Sequence, residues 1–186
     1  MATAMVPAPP ALPQPDVLFE IINGEYREVP PMGRLASLIA SVLHGLLWSF
    51  ASAHKIGLPV FETLFRLSPT GTSRRPDVAF VAFDRMPASL DTTEDPAQWD
   101  VVPNLAVEII SPTNTAKGIQ DKLDDYFHAG VQLVWVIYPV NRCIYVYESL
   151  TSVHVLLEKD ELVGEPVLPG FRLPIAALFA ALAKPQ

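Results

Sequence analysis

Asp77, Glu108 and Lys122 have the type and setting for phosphate chemistry. Glu108 interrupts Leu105-Ala-Val-Glu-Ile-Ile110, an otherwise apolar run that reads as a strand buried on both faces. An ionised carboxylate there is costly unless a cation or hydrogen bonds compensate it. Asp77 stands at the mouth of a second apolar strand, Val78 to Phe83, so the two acids can meet at neighbouring strand ends. Converging carboxylates make a hard, oxygen-rich corner suited to Mg2+ or Mn2+. Such a cation polarises a phosphoryl oxygen and activates a water. Phosphodiester hydrolysis also needs positive charge near the attacking water and the equatorial oxygens, which a lysine can supply. Lys122 lies on the helix that follows the Glu108 strand, and Lys117, nearer the loop, is the alternative.

Read singly, each residue also has a plainer account. Asp77 is then a turn residue, Lys122 belongs with Asp121, Asp124 and Asp125 to a solvated helix face, and Glu108 pairs with a buried arginine such as Arg75. Tyr126, one turn after Lys122, can steady the lysine or serve as packing. Glu25 is a further acid within reach of a cation there. His44, His54, His128 and His154 have no i,i+4 pairing and no cysteine partner, which argues against zinc. No phosphate-binding glycine loop is present, so a nucleotide cofactor has no support.

The elements that must position these residues follow from patterning. Phe19-Glu-Ile-Ile, Asn23-Gly24 and Glu25-Tyr-Arg-Glu-Val form an N-terminal hairpin closed by Pro30-Pro31. Leu35 to Ala53 reads as a helix apolar on nearly all sides, hence central and packed by sheet, with Leu43 and Leu46 both in the core. Gly57 and Pro59 end that segment, and Val60 to Leu67 is the next strand. After the acidic 86–103 loop and the Glu108 strand, Thr115 to Ala129 is an amphipathic helix ended by Gly130, with Ile119, Leu123, Tyr126 and Phe127 as its stripe. Strands over 134–138, 143–148 and 153–158 and a helix over 175–183 complete the chain.

A chain of 186 residues, 50% hydrophobic, can bury one full core. Residues 1–15, rich in Ala and Pro and free of basic residues, read as a disordered leader rather than a signal peptide, and 16–186 as a single domain. The Leu35–Phe50 run is short of a membrane span and carries His44 and three serines, so no membrane is expected. The single Cys143 points to a reducing, cytoplasmic setting. The net charge of -7 opposes phosphate binding at first sight. It is concentrated, however: 86–100 carries four acids and no base, and 148–165 five acids against Lys159. Ahead of both, the stretch from Lys55 to Arg85 collects Lys55, Arg66, Arg74, Arg75 and Arg85 against Glu62, Asp77 and Asp84 as a candidate basic face.

The combination Arg75-Pro76-Asp77-Val-Ala-Phe-Val, Asn104-Leu-Ala-Val-Glu108-Ile-Ile-Ser-Pro-Thr-Asn, Asp121-Lys122-Leu-Asp-Asp-Tyr126 and Gly130-Val131 before Trp135 resembles one known family. This is the Uma-type group of putative restriction endonucleases, within the PD-(D/E)xK nuclease superfamily. The likeness runs from about Val17 to Leu182 and takes in Asn23-Gly24-Glu25 and Leu168-Pro-Gly-Phe-Arg-Leu-Pro. It implies an α/β restriction-endonuclease-like core: a mixed central β-sheet flanked by helices, with an N-terminal β-hairpin. It implies metal-dependent endonuclease activity on DNA, with Mg2+ or Mn2+ held by Asp77, Glu108 and the Ile109 carbonyl, and Lys122 as the catalytic lysine. The superfamily lysine two residues after the acid is replaced by Ile110, and Lys122 fits a position migrated to the next helix. Where the family often has an acid before the apolar strand and Asp-Pro at its end, this chain has Gln132-Leu133 and Tyr138-Pro139. Two alternatives stay open: a silent nuclease-fold scaffold and a hydrolase of a smaller phosphodiester. A homodimer is left open as the assembly.

Overall fold

The computed structural model describes residues 17–67, 71–88 and 98–180. The leader expected over 1–15 lies outside the described residues, as does the end of the last expected helix. The elements begin β1 (Phe19–Ile22), β2 (Glu25–Glu28), α1 (Arg34–His54), β3 (Gly57–Phe61), β4 (Phe65–Arg66), β5 (Ser73–Arg74), β6 (Val78–Ala82) and β7 (Leu105–Ile109). They continue α2 (Ala116–Ala129), β8 (Leu133–Tyr138), β9 (Cys143–Ser149), β10 (Ser152–Leu156), β11 (Glu161–Val163), β12 (Arg172–Pro174) and α3 (Ile175–Ala180).

A six-stranded sheet ordered β10-β9-β8-β7-β6-β3 forms the centre. Its β7–β8 pair is parallel and the others antiparallel, and α2 is the crossover a parallel pair requires. Alternation along the strands divides the core in two. Leu105, Val107, Leu133, Trp135 and Ile137 face α1, whereas Ala106, Val134 and Val136 face α2. The expected α/β core with a mixed sheet between helices is therefore the observed one, and its N-terminal hairpin forms with Asn23 and Gly24 at φ 53° and 83°. That hairpin belongs to a second sheet, ordered β2-β1-β5-β4.

Two expectations change. The strand placed at Val60–Leu67 starts at Gly57 and breaks after Phe61, so Pro59 is inside it. This is tolerated because β3 is the sheet's edge, where a missing N–H costs no ladder bond. Glycine is needed at 57, since a Cβ there would run into the Val81 carbonyl and the Phe80 ring. The long helix is not buried all round: Ile39, Leu43 and Leu47 are sealed against the sheet, but Leu35, Leu38, Leu46 and Trp48 are exposed. At 21 residues it is long and apolar enough to cross a membrane by those measures alone, yet one face is spent on the core of this fold.

Candidate active site

The acid pair is a consequence of strand register. Val78 lies opposite Val107 and Ala79 opposite Ala106 across the antiparallel β6–β7 pair. One step further along the same register sets Asp77 opposite Glu108, on the α2 side of the sheet that Ala79 and Ala106 also face.

Helix phase brings α2 to meet them. Thr115 caps its N-terminus by accepting from the Gly118 amide, and Gly130 ends it at φ 95°. Lys122 lies three residues after Ile119 and four before Tyr126, both on the buried stripe, so it points inward. Its Nζ donates to Glu108 Oε2 at 2.7 Å, and the buried Tyr126 hydroxyl donates to Glu108 Oε1 at 2.6 Å. Lys117, by contrast, projects into solvent and pairs with Asp121 one turn on. Of the two lysines only Lys122 reaches the acids, and helix phase is the reason. Tyr126 is fully buried, as its packing role had it, and its hydroxyl binds Glu108 rather than Lys122, a contact not expected.

Asp77 Oδ2 accepts the Ile109 amide at 2.6 Å. The next amide, Ile110, donates to Ile137 of β8, so the intervening trans peptide turns the Ile109 carbonyl away from β8 toward the Asp77 side. Burial, and then the facing charge of Glu108, push the Asp77 pKa up to about 7, against the pull of the Ile109 amide and Lys122. Burial disfavours the Lys122 ammonium, but Glu108 and Glu20 more than reverse this and hold its pKa above the ordinary lysine range.

These groups line one cavity of about 150 Å³, together with Glu20, Arg75, Ser111 and the first turn of α1. Gly33, the N-cap of α1, provides no side-chain cap, and Gly33 and Ala36 line the cavity, so the positive end of a 21-residue helix, with its uncapped first amides, lies beside it. Among the described residues no three His, Cys, Asp or Glu side chains converge as a ready-made metal site. The donors are two carboxylates and a carbonyl, a set that suits a cation keeping several waters, as magnesium does. Charge balance agrees. Asp77, Glu108, Glu20 and Asp125 outnumber Lys122 and Arg74, a surplus of acidic groups that a divalent cation would offset.

A family model described as Uma2, putative restriction endonuclease, matches residues 9–176. The chain belongs to this family. A crystal structure of a putative nuclease belonging to DUF820 from Anabaena variabilis has the same fold as this Uma2 chain, with a TM-score of 0.80 over 92% of this chain and 95% of that one, at 21% identity. No curated protein matches.

The Uma2 chain carries two site residues that patterning did not single out. Glu20 and Arg74 are both buried: Arg74 Nη1 donates to Glu20 Oε2 at 2.7 Å, and Arg74 Nε donates to Asp125 Oδ2 at 2.7 Å. Glu20 Oε1 accepts the Arg75 amide at 3.1 Å and lies 3.4 Å from Lys122 Nζ. Burial would raise the Glu20 pKa, but Lys122, Arg74 and the Arg75 amide bring it below its ordinary value. The hairpin acid at the cavity is therefore Glu20. Glu25, beside the turn, is exposed and lies near Arg27. The signal for Glu20 was the one that exposed Glu108, a lone acid in an apolar strand, but only four residues long and next to Glu25 and Glu28.

Arg75 does not pair with Glu108. Its guanidinium donates to the carbonyls of Phe19 and Glu62. The arginines of the expected basic face are largely engaged within the fold. Arg74 is consumed internally, Arg85 donates to the carbonyls of Val102, Pro103 and Gly130, and Arg66 lies near Asp100. Guanidinium forks go first to buried or half-buried acceptors, because leaving those unmatched costs more than leaving an arginine in water.

Proposed function

We propose that this Uma2 protein is a metal-dependent nuclease of the PD-(D/E)xK type that hydrolyses phosphodiester bonds in DNA. The observation that carries the reading is the facing pair Asp77 and Glu108 at one strand end, with Lys122 and the first turn of α1 on the same cavity. Asp77, Glu108 and the Ile109 carbonyl are the residues that would hold Mg2+ or Mn2+. Bound there, such a cation supplies Lewis acidity to a phosphoryl oxygen and lowers the pKa of a water. Asp77 gives up the proton it shares near neutrality when it takes on that role. Tyr126 keeps the Glu108 carboxylate from rotating. The Lys122 ammonium meets negative charge as it grows on the phosphorus oxygens, and the free amides of α1 receive the phosphate.

A second reading, hydrolysis of a smaller phosphodiester, is favoured by the spent arginines and the small cavity. The experiment is cleavage of plasmid DNA, a single-stranded oligonucleotide and a bis-aryl phosphodiester, in Mg2+, in Mn2+ and in chelator. DNA cleavage that needs the metal and disappears in Asp77→Ala and Lys122→Ala supports the first reading. Cleavage confined to the small diester, with little salt dependence, supports the second. No metal-dependent cleavage of any of the three leaves a silent scaffold.

A further inference from the structure

Glu108 is asked to do two things at once. Its Oε2 accepts from Lys122 at 2.7 Å, and it is also one of the two carboxylates facing the proposed cation. A divalent ion on that carboxylate repels the ammonium beside it and withdraws the electron density that holds it. Lys122 then needs another anchor, or it leaves the cavity through the opening that already exposes 17% of its side chain.

We infer that Glu20 is the residue that keeps Lys122 in place once a cation draws on Glu108. The inference rests on the proposed cation at Asp77 and Glu108. Glu20 Oε1 lies 3.4 Å from Nζ, so a shift of about 0.7 Å gives the ammonium as close a contact there as it has with Glu108. The carboxylate cannot swing away to solvent, because Arg74 holds Oε2 and the Arg75 amide holds Oε1. Arg74 is itself fixed by Asp125, which lies one turn along α2 from Lys122. The helix that carries the lysine and the hairpin that anchors it are thus tied by one guanidinium. Glu20 acts through Lys122, as a positioning residue, and the hairpin is part of the machinery rather than a lid over it.

The test uses the full chain and the variants Glu20→Gln, Glu20→Asp and Asp125→Asn. Lys122 is read by labelling with an amine-reactive acetylating reagent and peptide mass spectrometry, with solvent-exposed Lys117 as internal standard. The Mg2+-induced rise in melting temperature is measured alongside. In the parent, Lys122 should stay protected with and without Mg2+. In Glu20→Gln, the Mg2+ rise should persist and Lys122 should stay protected without metal, but its labelling should increase roughly tenfold when Mg2+ is added. Its kcat should fall between about ten- and a hundredfold with KM unchanged, the signature of a contact made only in the transition state. Asp125→Asn loosens Arg74 but leaves both Lys122 contacts, and should label as the parent does. If Glu20→Gln fails to fold, Glu20→Asp, with its charge kept and its reach shortened, should show a smaller Mg2+-dependent increase.

Equal protection of Lys122 in the parent and both Glu20 variants with Mg2+ present overturns the inference alone. Loss of the Mg2+ rise in Glu20→Gln also overturns it, by making Glu20 a cation ligand. Absence of that rise in the parent removes the proposed cation site and this inference with it.

Discussion

The two sheets that meet at the cavity are held by different forces. The central sheet brings Asp77 and Glu108 together on strands whose other residues are apolar and buried, so their approach is set by register and packing. The hairpin sheet meets α2 through an ion chain, Glu20 to Arg74 to Asp125, with Lys122 between Glu20 and Glu108. The acid pair should therefore survive changes of charge around it, whereas the lysine's position should come to depend on Glu20 once a cation draws on Glu108.

The largest effect should come from breaking the first arrangement. Leu43, sealed against the central sheet, becomes a buried unpaired charge in Leu43→Asp, which should cost more than about 5 kcal/mol and abolish the urea transition. Leu46→Asp, on the exposed side of the same helix, should cost less than about 1 kcal/mol. Replacing Arg74 with Met strands two carboxylates and should cost about 3 kcal/mol. Hydrogen exchange would localise that loss: β1 and β2 should exchange faster while β6 and β7 keep their protection. Tyr126→Phe removes a buried hydrogen bond to a charged group and should cost about 1.5 kcal/mol in urea unfolding, with a larger loss of activity.

The pH dependence sharpens the comparison from the acid side. Asp77 has its folded pKa raised to about 7 from 3.8, so the stability it contributes is fully present below 3.8 and is lost as pH rises through 7. Without metal, Asp77→Asn should gain on the parent between about pH 4 and pH 7 and level off above that, while its amide oxygen still accepts the Ile109 amide. The opposite trend in paired melts would mean that the fold favours the ionised form of Asp77, against both its burial and the facing charge of Glu108. The smallest effect is expected at Lys117→Ala, whose exposed pair with Asp121 is worth no more than about 0.5 kcal/mol.

What could be read in advance follows the same division. Glu108 was legible because one acid in Leu105-Ala-Val-Glu-Ile-Ile has no cheap place to go, and Asp77 because it opens a strand of the same kind. The helix carrying Lys122 was legible to within a residue, since Thr115 and Gly130 mark its ends. Its phase, counted from Ile119 to Tyr126, also separates Lys122 from Lys117. Glu20 and Arg74 were hidden because their burial is created by non-local pairing: β5 is two residues long and joins β1 across some fifty positions of chain. No local pattern distinguishes Arg74 from Arg75. The all-round apolar character of α1 misled for a related reason, since composition records that a helix is apolar but not which of its sides the sheet covers.

The central claim is that Asp77 and Glu108 form one cation site, and a thermal shift tests it without knowledge of the substrate. A cation that binds only the folded chain stabilises it by RT ln(1 + [L]/Kd), so about 10 mM Mg2+ on a site of about 1 mM affinity adds roughly 1.4 kcal/mol. The parent should melt higher in Mg2+ or Mn2+ than in chelator, and this increment should vanish in Asp77→Asn and in Glu108→Gln whatever their own starting stabilities. A parent with no increment, or variants that keep it in full, would contradict the account.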